Sequence, residues 1–213
     1  MKLYDSRFKS HSTITIAGPS QSGKTTLVRK IVSMRDELFT EKFSNVLWYC
    51  AFPPTKKLDG VTYKIGTPLN AMNEIHAHDL VILDDFMFEL SKTDDLTNLM
   101  TKAVHHLPMT LIYITQNYFQ KGDNKKTQRM NTNYLIIFKN PHDRSQIDLI
   151  GRRMFPKDPK FLSSAYTDAT SNEAFSYLLI DCQQETPEEI RIRTKITERT
   201  PKVYVSNSVP LSI

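Results

Sequence analysis

Residues 18–25 read Gly-Pro-Ser-Gln-Ser-Gly-Lys-Thr, and this stretch restricts the architecture more than any other part of the chain. The pattern G-x-x-x-x-G-K-[ST] needs a backbone that curls until successive N–H groups converge on one anion. A buried strand must lead into that curl and a helix must lead out, because the helix N-terminus adds its dipole at the same point. Both flanks are present. Residues 13–17, Thr-Ile-Thr-Ile-Ala, form a β-branched run, and residues 23–38 put Leu27, Ile31, Met34 and Leu38 on one helical stripe. Gly18, Pro19, Ser20, Gln21, Ser22, Gly23, Lys24, Thr25 and the adjoining Thr26 are therefore the expected nucleotide-binding set. In that reading Lys24 supplies charge to the β- and γ-phosphates of ATP, and the Thr25 hydroxyl reaches Mg²⁺.

Four more apolar runs, at 46–50, 80–83, 111–115 and 134–138, have the length and β-branching of strands. They are continuously apolar rather than alternating, as in strands buried on both faces. A helical pattern at 94–107 aligns Leu96, Leu99, Met100, Ala103, Val104 and Leu107, with Thr93 or Asp94 as N-cap. Strands alternating with helices predict a mostly parallel central sheet flanked by helices. Near the end, 175–182 and 190–196 predict a C-terminal β-hairpin joined by 183–189. Its second strand alternates Ile190, Ile192, Thr194 and Ile196 with Arg191, Arg193 and Lys195. Charges so placed protect an edge strand against aggregation. The chain of 213 residues suits one α/β domain over 12–196, with an arm at 1–11 and a tail at 197–213.

The formal net charge of +5 suits an anionic partner. Cys50 and Cys182 each lie in an apolar run, which predicts two buried thiols in a reducing compartment. No zinc-type spacing exists. The first ten residues are polar and charged, with no apolar stretch behind them and no bilayer-length segment elsewhere. An intracellular protein with no membrane partner is expected.

The strand ends carry the remaining chemistry. Residues 80–85 are four apolar residues followed by Asp84 and Asp85. At the C-terminal edge of a parallel sheet such acids stand beside the phosphate loop. Asp84 would then hold Mg²⁺ through a water, and Asp85 would orient and deprotonate the attacking water. Residues 111–117 repeat the design and end in Thr115, Gln116 and Asn117. Beside the acidic strand, Gln116 would point at the γ-phosphate, hold the water and detect phosphate loss; elsewhere it is a turn-capping amide. The strand at 46–50, between the loop strand and the acidic strand, favours the ASCE division of P-loop NTPases, which inserts a strand there, sets a catalytic acid beside the metal-holding Asp and consists mostly of ATP-driven motors, over kinases and GTPases. A GTPase would want Asn-Lys-x-Asp, whereas Phe138-Lys139-Asn140-Pro141 has the wrong order. Residues 118–129 interleave aromatics with cations, so Lys121, Lys125 and Lys126 are candidate nucleic-acid contacts, against a solvated surface loop as the alternative. Arg129, Arg144 and Arg152 are candidate arginine fingers reaching the nucleotide of a neighbouring subunit, with Arg129 preferred, against a phosphate clamp or a surface salt bridge as the alternatives.

Together, GPSQSGKT, LVILDDFMFEL, ITQNYFQKG, NTNYLIIFKNPHDRSQI, KFLSSAYTDAT and FSYLLID resemble the FtsK/HerA superfamily. More closely, they resemble the DNA-packaging ATPases of Polinton (Maverick) elements and adintoviruses, relatives of the packaging ATPases of poxviruses and other double-jelly-roll viruses. The resemblance spans about residues 12–195. Its most specific parts are the glutamine-ended strand and the Phe-Lys-Asn-Pro segment followed by Asp143, Arg144 and Gln146. It implies an ATP-driven translocase that threads double-stranded DNA into a preformed capsid. It also implies a ring homo-oligomer, a hexamer or pentamer, acting with capsid proteins where virions assemble in the host cell, nucleus or cytoplasm. Many FtsK/HerA proteins carry Glu where this chain has Asp85. The alternatives are a HerA-like cellular DNA pump and a P-loop small-molecule kinase.

Overall fold

The computed structural model describes residues 4–66, 75–77, 79–84, 107–118, 131–171 and 173–207. Among them, nine strands form one sheet: β1 (Thr13–Ala17), β2 (Val46–Cys50), β3 (Thr62–Ile65), β4 (Leu80–Asp84), β5 (Thr110–Thr115), β6 (Tyr134–Phe138), β7 (Tyr177–Asp181), β8 (Ile192–Thr194) and β9 (Lys202–Tyr204). Their spatial order is β3-β2-β4-β5-β1-β6-β7-β8-β9. Every pairing from β3 to β6 is parallel, and β7, β8 and β9 add antiparallel to that edge. The fold class is the expected α/β one.

Each central strand serves two faces. Ile14, Ile16, Ile82, Ile112 and Trp48 pack with the apolar stripe of helix α1 (Lys24–Ser33): Leu27, Val28, Ile31 and Val32. The alternate residues Leu47, Tyr49, Val81, Leu83, Leu111 and Tyr113 form a separate cluster. Under β6–β8, helices α3 (Ser145–Met154) and α4 (Phe161–Ser171) cover Leu135, Leu178 and Ile180. Period-two alternation on a strand buried from both sides therefore produces a continuously apolar sequence.

Several expectations change in the structure. The helix expected over 23–38 breaks at Met34 into α1 and a single turn, α2 (Arg35–Leu38). The Arg35 guanidinium donates to the Val32 carbonyl at 2.9 Å, a side-chain tie at the end of α1. Residues 46–50, expected between the loop strand and the acidic strand, lie outboard of β4; the inserted strand is β5. Sequence order does not dictate sheet order, because crossovers can skip a position that a later strand fills. Strand β8 is not an edge strand, since β9, in the segment expected as a tail, pairs with it. Arg193 is buried at 1% exposure and donates to Asp181 Oδ2 at 3.0 Å. Arg191 donates to the carbonyls of Asp181, Gln183 and Thr186, closing the β7–β8 turn. These cations are thus internal ties rather than edge protection. In the expected arm, Phe8 is buried against Phe39 and meets Tyr134 edge-on. Cys50 is buried, but Cys182 is exposed. The helix expected at 94–107 lies, except for Leu107, outside the described residues.

Candidate nucleotide-binding site

The register puts three strand ends at one edge of the sheet. Ala17 pairs with Thr115, and Asp84 with Ile114, so Gly18, Asp84 and Gln116 emerge side by side where parallel α/β sheets bind ligands. The Gly18 N–H donates to the Thr115 carbonyl at 3.3 Å, tying the loop to the end of β5. A side chain at Gly18 would meet Phe138 Cβ at 2.7 Å and Ser22 Oγ at 2.9 Å, so only glycine lets the loop leave β1 here.

The loop curls through Gln21 (φ 61°) and Gly23 (φ 97°), both left-handed, and enters α1. The Lys24 ammonium donates to the carbonyls of Gly18 (2.8 Å) and Pro19 (2.7 Å), so its charge arches over the loop. The Thr25 hydroxyl lies 3.5 and 3.4 Å from the two carboxylate oxygens of Asp84. A hydroxyl and a carboxylate converging in this way form a hard, all-oxygen donor set, which fits Mg²⁺. Thr25 and Asp84 would hold that ion.

Gln116 is exposed directly after β5. It borders a small crevice with Gly18, Asn140, Asp143 and Gln146. Gln146 Nε2 donates to Asp143 Oδ2 at 2.8 Å and to Asn117 Oδ1 at 3.4 Å. The Ser145 hydroxyl and then Gln146, both donating to Asp143, hold its carboxyl below the usual carboxylate range. The Tyr166 hydroxyl donates to the Phe138 carbonyl at 3.0 Å and accepts from the Asn140 N–H at 2.8 Å. The segment after β6, singled out in the sequence by its residue types, is thus joined to the residue following Gln116.

Of the other candidates, Arg144 and Arg152 are exposed, at the start and in the last turn of α3. Asp85, Arg129, Lys121, Lys125 and Lys126 lie outside the described residues. Sequence reasoning missed Asn117 and Tyr166 as supports of the site, since their partners lie 29 and 28 residues away. It also missed a cavity of about 520 Å³ that opens beside α1 and is walled by Phe175, Tyr177 and Lys195.

Among solved structures, the chain resembles B204, the DNA-packaging ATPase from Sulfolobus Turreted Icosahedral Virus, with a TM-score of 0.53 over 92% of this chain and 98% of that one, at 10% identity. It resembles equally the genome packaging NTPase B204 from Sulfolobus turreted icosahedral virus 2 in complex with ATP-gammaS: TM-score 0.54, 12% identity, 91% of this chain and 96% of that one. The chain has the P-loop NTPase fold. No family model and no curated protein sequence matches it. Among the described residues, no helix is long and apolar enough to cross a membrane.

Proposed function

We propose that this chain is a Mg²⁺-dependent ATPase that drives double-stranded DNA into a viral or virus-like capsid. The observation that carries the reading is the approach of the Thr25 hydroxyl to the Asp84 carboxylate at 3.4 Å, across 59 residues of sequence, beside the Gln116-ended strand. A phosphate loop, a metal-holding acid and an intervening polar strand end make up the apparatus of ATP hydrolysis. The likeness in fold to packaging ATPases supports the use of that hydrolysis on DNA. The resemblance of its motifs to those of Polinton and adintovirus packaging ATPases supports a virus-like genome, handled where virions assemble in the host cell.

In this reading Lys24 exchanges the Gly18 and Pro19 carbonyls for β- and γ-phosphate oxygens. Thr25 and Asp84 would hold Mg²⁺, which would supply positive charge beside those phosphates. Asp85 accepts a proton from the attacking water, Gln116 orients that water, and Arg129 of a neighbouring copy meets charge developing on the γ-phosphate. Lys121, Lys125 and Lys126 contact DNA phosphates, and the copies form a ring that docks on capsid proteins.

The test is ATP hydrolysis measured against protein concentration, with and without duplex DNA, in Mg²⁺ and in EDTA. Turnover per subunit should rise with concentration and with DNA of any sequence, and vanish in EDTA. A concentration-independent rate indifferent to DNA would refute the motor and favour the small-molecule kinase.

A further inference from the structure

The phosphate loop has two sides, and only one carries the reacting groups. Strands β4 and β5, bearing Asp84 and Gln116, flank β1 on one side; β6, β7 and β8 lie on the other. Thr25 faces Asp84, so the terminal phosphate belongs on the β4–β5 side. The rest of a nucleotide must leave the loop toward β7 and β8. On that side lies the cavity of about 520 Å³, bounded by Gly23 and Thr26 of the loop and helix and by Phe175, Tyr177 and Lys195 opposite. Its volume suits a small organic ligand rather than an ion.

Phe175 is the unusual residue in that wall. It is 68% exposed, although it is a large apolar side chain. Its backbone is left-handed (φ 61°), a conformation that bulky residues avoid. It packs directly on the loop: a Cβ at Gly23 would stand 3.0 Å from Phe175 Cβ and 3.3 Å from its ring. The wall behind it is cross-braced. The Thr194 hydroxyl donates to the Tyr177 carbonyl at 2.6 Å, the Ile196 N–H donates to the Tyr177 hydroxyl at 3.1 Å, and the Lys195 ammonium donates to Glu173 at 2.6 Å. An exposed ring on a braced wall beside the phosphate loop is thus held at a backbone cost that its solvent exposure does not repay.

We infer that this cavity is the nucleobase subsite and that the base of the bound nucleotide stacks on Phe175. The inference rests on the nucleotide-binding reading of the loop and adds the residue that recognises the nucleoside end. Phe175 therefore contributes to binding of a nucleotide but not of its bare phosphate chain.

The experiment compares binding of Mg-ATP and of magnesium tripolyphosphate, by calorimetry on the full chain, for wild type, Phe175→Leu and Phe175→Tyr. Leucine keeps apolar bulk over Gly23 and removes the ring; tyrosine keeps the ring. Phe175→Leu should weaken ATP about 5- to 140-fold, the range expected for loss of base–aromatic stacking, and leave tripolyphosphate within about twofold. Phe175→Tyr should bind both like wild type. Unchanged ATP affinity in Phe175→Leu overturns the stacking platform, and equal losses of both ligands overturn it in favour of a loop-bracing role. A wild type that binds neither ligand overturns the phosphate-loop reading itself, and the base subsite with it.

Discussion

Arg193 separates the folded arrangement from the one its local sequence suggests. It is 1% exposed, and its guanidinium meets the carboxylate of Asp181, itself 2% exposed, at 3.0 Å between β8 and β7. Burial lowers the Arg193 pKa, and Asp181 opposes that shift. Arg193→Met keeps the apolar stem but leaves Asp181 charged and unpaired. Breaking a buried pair in this way costs about 3–5 kcal/mol. At about 2–4 °C per kcal/mol for a domain of this size, the melting temperature should fall by roughly 6–20 °C. Urea denaturation and thermal melts followed by circular dichroism measure both quantities. Adding Asp181→Asn removes the stranded charge while keeping an oxygen for the Gln183 N–H, which donates to Asp181 Oδ1 at 3.1 Å. That double variant should regain about 1–3 kcal/mol over Arg193→Met alone. A surface arginine would cost no more than about 0.5 kcal/mol. A loss that small, or double-variant costs that simply add, would refute the buried pair.

At the site, Lys24→Ala should abolish ATP turnover while melting as wild type does; near-normal turnover would mean that the loop does not hold the phosphates. Asp85→Asn should bind ATP without hydrolysing it, whereas Asp84→Asn should also lose the Mg²⁺ dependence of binding, read by calorimetry with and without EDTA. Mixing inactive Arg129→Ala with inactive Lys24→Ala subunits should restore part of the hydrolysis, because each supplies what the other lacks at a shared border; no rescue would remove Arg129 from that role. Burial raises the Tyr177 pKa from 10.0 to about 12. The protonated phenol is favoured in the fold, so its contribution is complete below about pH 10 and is lost as pH rises toward 12. Urea titrations across that window should show a smaller alkaline loss of stability in Tyr177→Phe than in wild type, and parallel profiles would refute the shift.

The parts of this protein legible from its sequence are those whose physics is local. The strand at 13–17, the loop at 18–25 and the start of α1 follow from β-branching, from glycines at curled positions and from a helical stripe, all within about twenty residues. Asp84 and Gln116 were legible as strand-end groups because an apolar run that stops at a polar residue marks its own edge. Spatial order was not. The sequence presents 46–50 before 80–83, yet the strand lying between β1 and β4 is β5, since neighbours in a sheet are chosen by crossovers and face-to-face packing. The alternation that predicts a charged outer face on β8 was real, but β9 and the β7 carboxylate turned Arg193 inward; periodicity reports that two faces differ, not which neighbour each will meet. Strand β3 escaped notice because Thr62–Ile65 sits half-exposed at the sheet margin, where little burial shapes its composition. The link from Asn117 to Gln146 and the contact of Phe175 with Gly23 join residues 29 and 152 positions apart. No local pattern encodes such a meeting; it exists only once the sheet has closed and brought the ends of β1, β5 and β6 and the start of β7 together.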